Sequence, residues 1–179
     1  MKDPFAILGV EPRFTLDLRA VEQRHRELSR ALHPDRYAGA PAAERRLSLG
    51  RAIEVNEAWR VVRDPIRRAE ALMARSGVEL REDAMPKADP AFLMEVMELR
   101  EELSEAARRK DRARVEALGT QVRAREEASL AALGTVLDGS AGDRTSIEKA
   151  LPRLSELKYF RRFLDEVSAI EEDLTDALP

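Results

Sequence analysis

With 179 residues, 44% of them apolar and 36% charged, the chain is long enough for one ordinary domain or two small ones and too apolar for wholesale disorder. A formal net charge of −3 leaves no basic surplus for a phosphate backbone, so no nucleic-acid partner is expected, and the lack of Cys removes disulfides, thiolate metal sites and Cys nucleophiles. Two His do not complete a typical zinc site, no apolar run approaches the ~20 residues of a membrane span, and Met1-Lys2-Asp3-Pro4-Phe5 lacks a signal-peptide core; no cofactor, no metal, no membrane and a cytoplasmic location are expected.

Helical periodicity recurs almost everywhere and strand-like alternation almost nowhere. Residues 3–9 predict one short helical turn ending at Gly9, and Asp17 caps a helix running to about Ala31 or Leu32. Pro34 stops that helix, leaving 33–40 as a loop, and Pro41 opens a second long helix to about Arg63. Asp64-Pro65 repeats the start signal, and Gly77 closes the helix it begins. The pattern lapses around Met85-Pro86, which predicts a linker over 77–88. Asp89-Pro90 starts a helix to about Arg109, residues 111–137 form a longer one, and 138–143 read as a loop. Thr145-Ser146-Ile147-Glu148 is a capping box for the last helix, which Pro152 should kink or restart. Beyond it Leu154, Leu157, Phe160, Leu164, Val167, Ile170 and Leu174 form one apolar stripe. The expected architecture is all-α, with one helical unit over 1–76 and three antiparallel helices over 89–179.

The loop between the two long N-terminal helices carries His33-Pro34-Asp35. Proline stiffens the backbone, so an imidazole and a carboxylate are held in set directions, and an exposed tip without a nucleophile suits docking better than catalysis. On the preceding helix Leu18, Val21, His25, Leu28 and Leu32 fall within about 80° and form the expected buried stripe. Arg19, Arg26 and Arg30 cluster within about 40° on the opposite side. That row is either a solvated face or a docking surface for an acidic groove.

The run Arg24 to Asp35 (RHRELSRALHPD) resembles the second helix and HPD loop of J domains. Phe5-Ala6-Ile7-Leu8-Gly9-Val10 resembles the opening of that domain; Asn56-Glu57-Ala58-Trp59 and Asp64-Pro65-Ile66-Arg67-Arg68-Ala69-Glu70 resemble its later helices. The resemblance implies that His33, Pro34 and Asp35, supported by Arg26 and Arg30, press against a DnaK/HscA-type ATPase chaperone and accelerate its ATP hydrolysis. His25 stands where the family usually has Tyr.

In the helix from Asp89, Phe92, Val96, Leu99, Leu103 and Ala106 make a core stripe. Leu93, Met94 and Met97 point about 140° to 160° away on average, a second apolar patch that either packs on another element or meets a partner. The segment resembles the scaffold-binding patch of HscB-type co-chaperones, which recruit an IscU-type iron–sulfur scaffold protein; the match falls on Leu93, Met94, Met97, Glu98, Arg100 and Glu101. Tyr159 aligns with an aromatic of the last helix that completes the surface, and its place off the Leu157–Phe160–Leu164 stripe agrees with exposure. The resemblance implies a non-enzymatic co-chaperone of bacterial type, without the Cys-rich zinc-binding extension of eukaryotic relatives. A J protein with another client, or a helical adaptor without a chaperone partner, are the alternatives.

Overall fold

In the computed structural model the described residues, 2–80, 89–140 and 142–176, are helical with no strand among them. They form α1 (Pro4–Leu8), α2 (Leu18–Ala31), a 3₁₀ turn (Pro34–Tyr37), α3 (Ala42–Arg63), α4 (Pro65–Arg75), α5 (Pro90–Arg108), α6 (Arg112–Gly139), α7 (Arg144–Glu148) and α8 (Leu151–Asp176). Four Asp side chains start four helices by the same device. Asp3, Asp17, Asp64 and Asp89 each accept a backbone N–H from the first turn that would otherwise lack a partner, at 2.7 to 3.2 Å. Three are followed by Pro, whose fixed φ suits the first helical position and whose missing N–H costs nothing there. Gly9 ends α1 with φ +67, a left-handed cap that a side chain would strain.

The chain divides into two compact units, one of residues 1–78 with 137–144 and one of 79–136 with 145–179. In the first, α2 and α3 pack against each other and α1 lies across α3. Phe5, Leu8, Val21, Val55, Val62, Ala69 and Met73 are buried in its core. The α2 stripe is only partly realised: Val21 is buried, His25, Leu28 and Leu32 are half-buried, and Leu18, at the first position of α2, is exposed. His25 stacks on Trp59 with ring centroids 5.4 Å apart, and its Nε2 lies 3.0 Å from Asn56 Oδ1.

The second unit buries Val96, Leu99, Leu103 and Ala106 of α5 against Val115, Leu118 and Val122 of α6 and Leu154, Leu157, Phe160, Phe163 and Val167 of α8. Pro152 does not kink α8. It occupies the second position of the helix, where no N–H is needed, and α8 restarts after the short α7. Leu164, Ile170 and Leu174 of the expected stripe are half-buried, while Phe163 is buried. Helix α6 runs on to Gly139, into the stretch expected to be loop. There the Asp138 carboxylate accepts from the N–H groups of Phe14 (2.6 Å) and Thr15 (2.9 Å), which is why 137–144 clusters with the first unit. Residues 81–88 of the expected linker lie outside the described residues.

Candidate functional site

The His33-Pro34-Asp35 turn is built from the backbone outward. Leu32 ends α2, Ser48 Oγ of α3 donates to the Leu32 carbonyl at 3.1 Å, and Tyr37 Oη donates to Ala31 O at 3.4 Å. His33 takes the N-cap position of the 3₁₀ turn and Pro34 its first helical position. The Asp35 N–H donates to His33 Nδ1 at 3.3 Å, and Arg36 N–H to His33 O at 3.0 Å. His33 Nδ1 also lies 3.4 Å from Asp35 Oδ2, so the imidazole and the carboxylate sit side by side on the turn. The side chains of His33 and Asp35 are 59% and 89% exposed, so the turn presents both to solvent.

Arg19, Arg26 and Arg30 are all exposed on α2. Arg26 pairs with Glu22 at 2.6 Å, an exposed i,i+4 pair of the kind that exchanges partners at little cost. Arg24, two residues before Arg26, points elsewhere: a Cβ placed on Gly9 would lie 3.8 Å from its guanidinium, so Arg24 lies toward α1. The three expected arginines therefore share one outward face.

A second surface lies on α5. Met94 and Met97 are each 61% exposed, large apolar side chains offered to solvent, and Glu98, Arg100 and Glu101 beside them are exposed as well. Leu93 is half-buried, so it forms the floor of the patch rather than its crest. Arg100 Nε meets Glu166 Oε2 at 3.4 Å, which holds its guanidinium against α8. Tyr159 is half-buried rather than exposed. Its ring meets the edge of Phe92 at 5.8 Å, and Phe92 also meets Phe160 at 5.6 Å, so an aromatic cluster pins the first turn of α5 to α8.

One cluster escaped the sequence reading. Arg68 is buried at the start of α4, donates to Val62 O at 2.7 Å and lies 4.9 Å over the Phe14 ring. Burial pushes the Arg68 guanidinium down, while Asp64 and Asp138 pull it back up. Burial likewise raises the Asp138 carboxyl, but the Phe14 and Thr15 N–H groups and Arg13 outweigh it and hold it below the ordinary carboxylate value. Positions 68 and 138 are far apart in sequence and share no motif, so no spacing signal announces the cluster.

Among the described residues no group of three or more His, Asp or Glu side chains is arranged to hold a metal, and no helix is long and apolar enough to cross a membrane.

Comparison with known proteins agrees with this geometry. Residues 3–71 match the family model of the DnaJ domain, and residues 88–168 match that of the HSCB C-terminal oligomerisation domain. A Bordetella avium protein described as a co-chaperone protein HscB homolog is 36% identical over 94% of this chain and 97% of its own. The solved structure of the chaperone HscB from Vibrio cholerae superposes with a TM-score of 0.85 at 32% identity, covering 96% of this chain and 99% of that one. Human co-chaperone HscB shares the fold, with a TM-score of 0.82 over 94% of this chain and 82% of its own at 24% identity.

Proposed function

The chain belongs to the HscB family of J-domain co-chaperones, and from that premise we propose that it stimulates ATP hydrolysis by a DnaK/HscA-type chaperone and delivers an IscU-type iron–sulfur scaffold protein to it. The observation that carries the proposal is the exposed His33-Pro34-Asp35 turn set at the end of the helix bearing Arg19, Arg26 and Arg30. Residues 1–76 act as the J domain, 77–88 as a linker and 89–179 as the scaffold-binding part.

The chain itself makes and breaks no covalent bond and needs no metal or cofactor. Its work is tethering, in the cytoplasm and without membrane or nucleic acid. The arginine face draws an acidic surface of the chaperone to α2, and the rigid turn places the Asp35 carboxylate and the His33 imidazole against it. The patch of Leu93, Met94 and Met97 meanwhile holds the scaffold, with Glu98, Arg100, Glu101 and Tyr159 around it. Met suits that role because its unbranched thioether adapts to an irregular partner.

The test is a steady-state ATPase assay with a DnaK-type chaperone. Wild-type chain should accelerate hydrolysis, and Asp35→Asn should abolish the gain without changing helicity. Unchanged stimulation by that variant would remove the turn from the mechanism.

A further inference from the structure

We propose that Met94 and Met97 of α5 form an oxidation site, and that their conversion to sulfoxides by a peroxide-class oxidant switches off binding of the scaffold protein. The inference rests on the scaffold-binding reading of this patch and adds its regulation.

The chain has five methionines and no cysteine, so no thiol within it competes for an oxidant. Met1 and Met85 lie outside the described residues, and Met73 is 0% exposed in the core of the first unit, closed to a solute that must reach its sulfur. Met94 and Met97 are the opposite case, each 61% exposed. Three positions apart on α5, they stand about 60° from each other on one face. The Asp89 cap fixes the first turn of α5, and Phe92 meets Tyr159 and Phe160 of α8, so the two thioethers are presented from a backbone held in place. Neither belongs to the core, where Val96, Leu99 and Leu103 carry the packing of α5. Oxidation of the pair therefore changes a surface and leaves the fold intact.

Each oxidation is a two-electron oxygen transfer. A thioether lone pair attacks one peroxide oxygen, and the S–O bond forms as the O–O bond breaks. The departing hydroxide takes the proton of the transferred hydroxyl and leaves as water, so the sulfur loses the two electrons that the peroxide gains. The apolar, flexible side chain becomes polar, with an oxygen that accepts hydrogen bonds. In solution water satisfies that oxygen; under an apolar partner it has no donor, so oxidation and docking oppose each other. The neighbouring side chains do not relieve it. Glu98 and Glu101 are acceptors only, and Arg100 has its Nε directed to Glu166 of α8.

The experiment treats full-length chain with hydrogen peroxide, desalts it, maps the added oxygen by mass spectrometry and then titrates it with an IscU-type scaffold protein. Met94 and Met97 should each gain one oxygen about tenfold faster than Met73. Scaffold binding should weaken about thirtyfold, while circular dichroism and stimulation of a DnaK-type chaperone, which a damaged fold would alter, stay at wild-type values. Methionine sulfoxide reductases of both epimer specificities, with a thiol reductant, should restore the affinity. Met94→Leu/Met97→Leu, which keeps volume and apolar character, should bind within about threefold of wild type and be indifferent to peroxide. Oxidation of the pair without loss of affinity overturns the inference and leaves the scaffold reading standing. An equal loss in the peroxide-treated leucine variant overturns it too, since the sensitive group would then lie elsewhere, and so does a loss of helicity on oxidation. If untreated wild type and Met94→Ala/Met97→Ala bind scaffold equally, the patch is not its site and both readings fall.

Discussion

The turn at residues 33–37 and the patch on α5, the two surfaces proposed to dock partners, are built on opposite physics. The turn is short, charged and stiff, stiffened by a proline, with Tyr37 donating to Ala31 O of α2 and Ser48 of α3 donating to Leu32 O just before it. The patch is long, apolar and soft, two methionines standing above a half-buried leucine. A stiff charged tip concentrates its effect in one or two atoms, so a single substitution should silence it. A soft apolar patch spreads its effect over several side chains and should decay in steps.

The sharpest way to break that contrast is Asp35→Asn, which removes the charge while keeping the shape. Stimulation of the chaperone should fall to the unstimulated rate, and the wild-type effect itself should weaken steeply as salt rises from about 0.05 to 0.5 M because the charges are exposed. Scaffold binding, measured by calorimetry under the same salts, should change far less. Equal salt slopes for the two partners would erase the distinction.

The next effect belongs to the patch. Met94→Ala/Met97→Ala should weaken scaffold binding about thirtyfold, each single change giving a part of that loss. Leu93→Ala should combine weaker binding with some loss of stability, because the side chain is half-buried. A single methionine carrying the whole loss would make the patch behave like the turn. Equal affinity of wild type and double variant would direct the patch to another client.

These two surfaces were legible in the sequence to different depths. The turn was readable because proline chemistry acts locally: His33-Pro34-Asp35 must leave the helix whatever surrounds it. The patch was readable as two stripes on one helix, but periodicity gives direction and not depth, so Leu93 and Tyr159 came out half-buried where exposure was expected. Leu18, at the first position of α2, is likewise exposed, since a wheel takes no account of helix ends. The Arg68–Phe14–Asp138 cluster was illegible because its members meet only after folding, across more than a hundred residues.

Each surface also rests on a support that can be perturbed separately. In the second unit, a Cβ at Gly119 of α6 would lie 3.0 Å from Val167 Cγ1 of α8, so the glycine lets the two helices approach. Gly119→Val should cost about 2 kcal/mol through overpacking and a stiff χ1 in a helix. Chemical denaturation followed by exchange at buried amides should locate the loss in the second unit, with the Phe5, Val62 and Met73 amides of the first unaffected. Uniform loss across both units would mean that they unfold as one.

The smallest effect tests the support of the turn's own helix. Asp138 holds the Phe14 and Thr15 N–H groups, three and two residues before the Asp17 cap that starts α2. Asp138→Ala should cost about 1 kcal/mol at neutral pH, since two hydrogen bonds to a charged but partly solvated acceptor are lost. The pH dependence gives the mechanism. The folded carboxyl is held below its ordinary value of about 3.9, so its contribution is fully present above that value and is lost as pH falls below it toward the lower folded pKa. Between pH 6 and pH 3 the wild-type melting temperature should therefore drop further than that of Asp138→Ala, and the two curves should converge in acid. Parallel curves would show that the Asp138 side chain acts by packing and not by its charge.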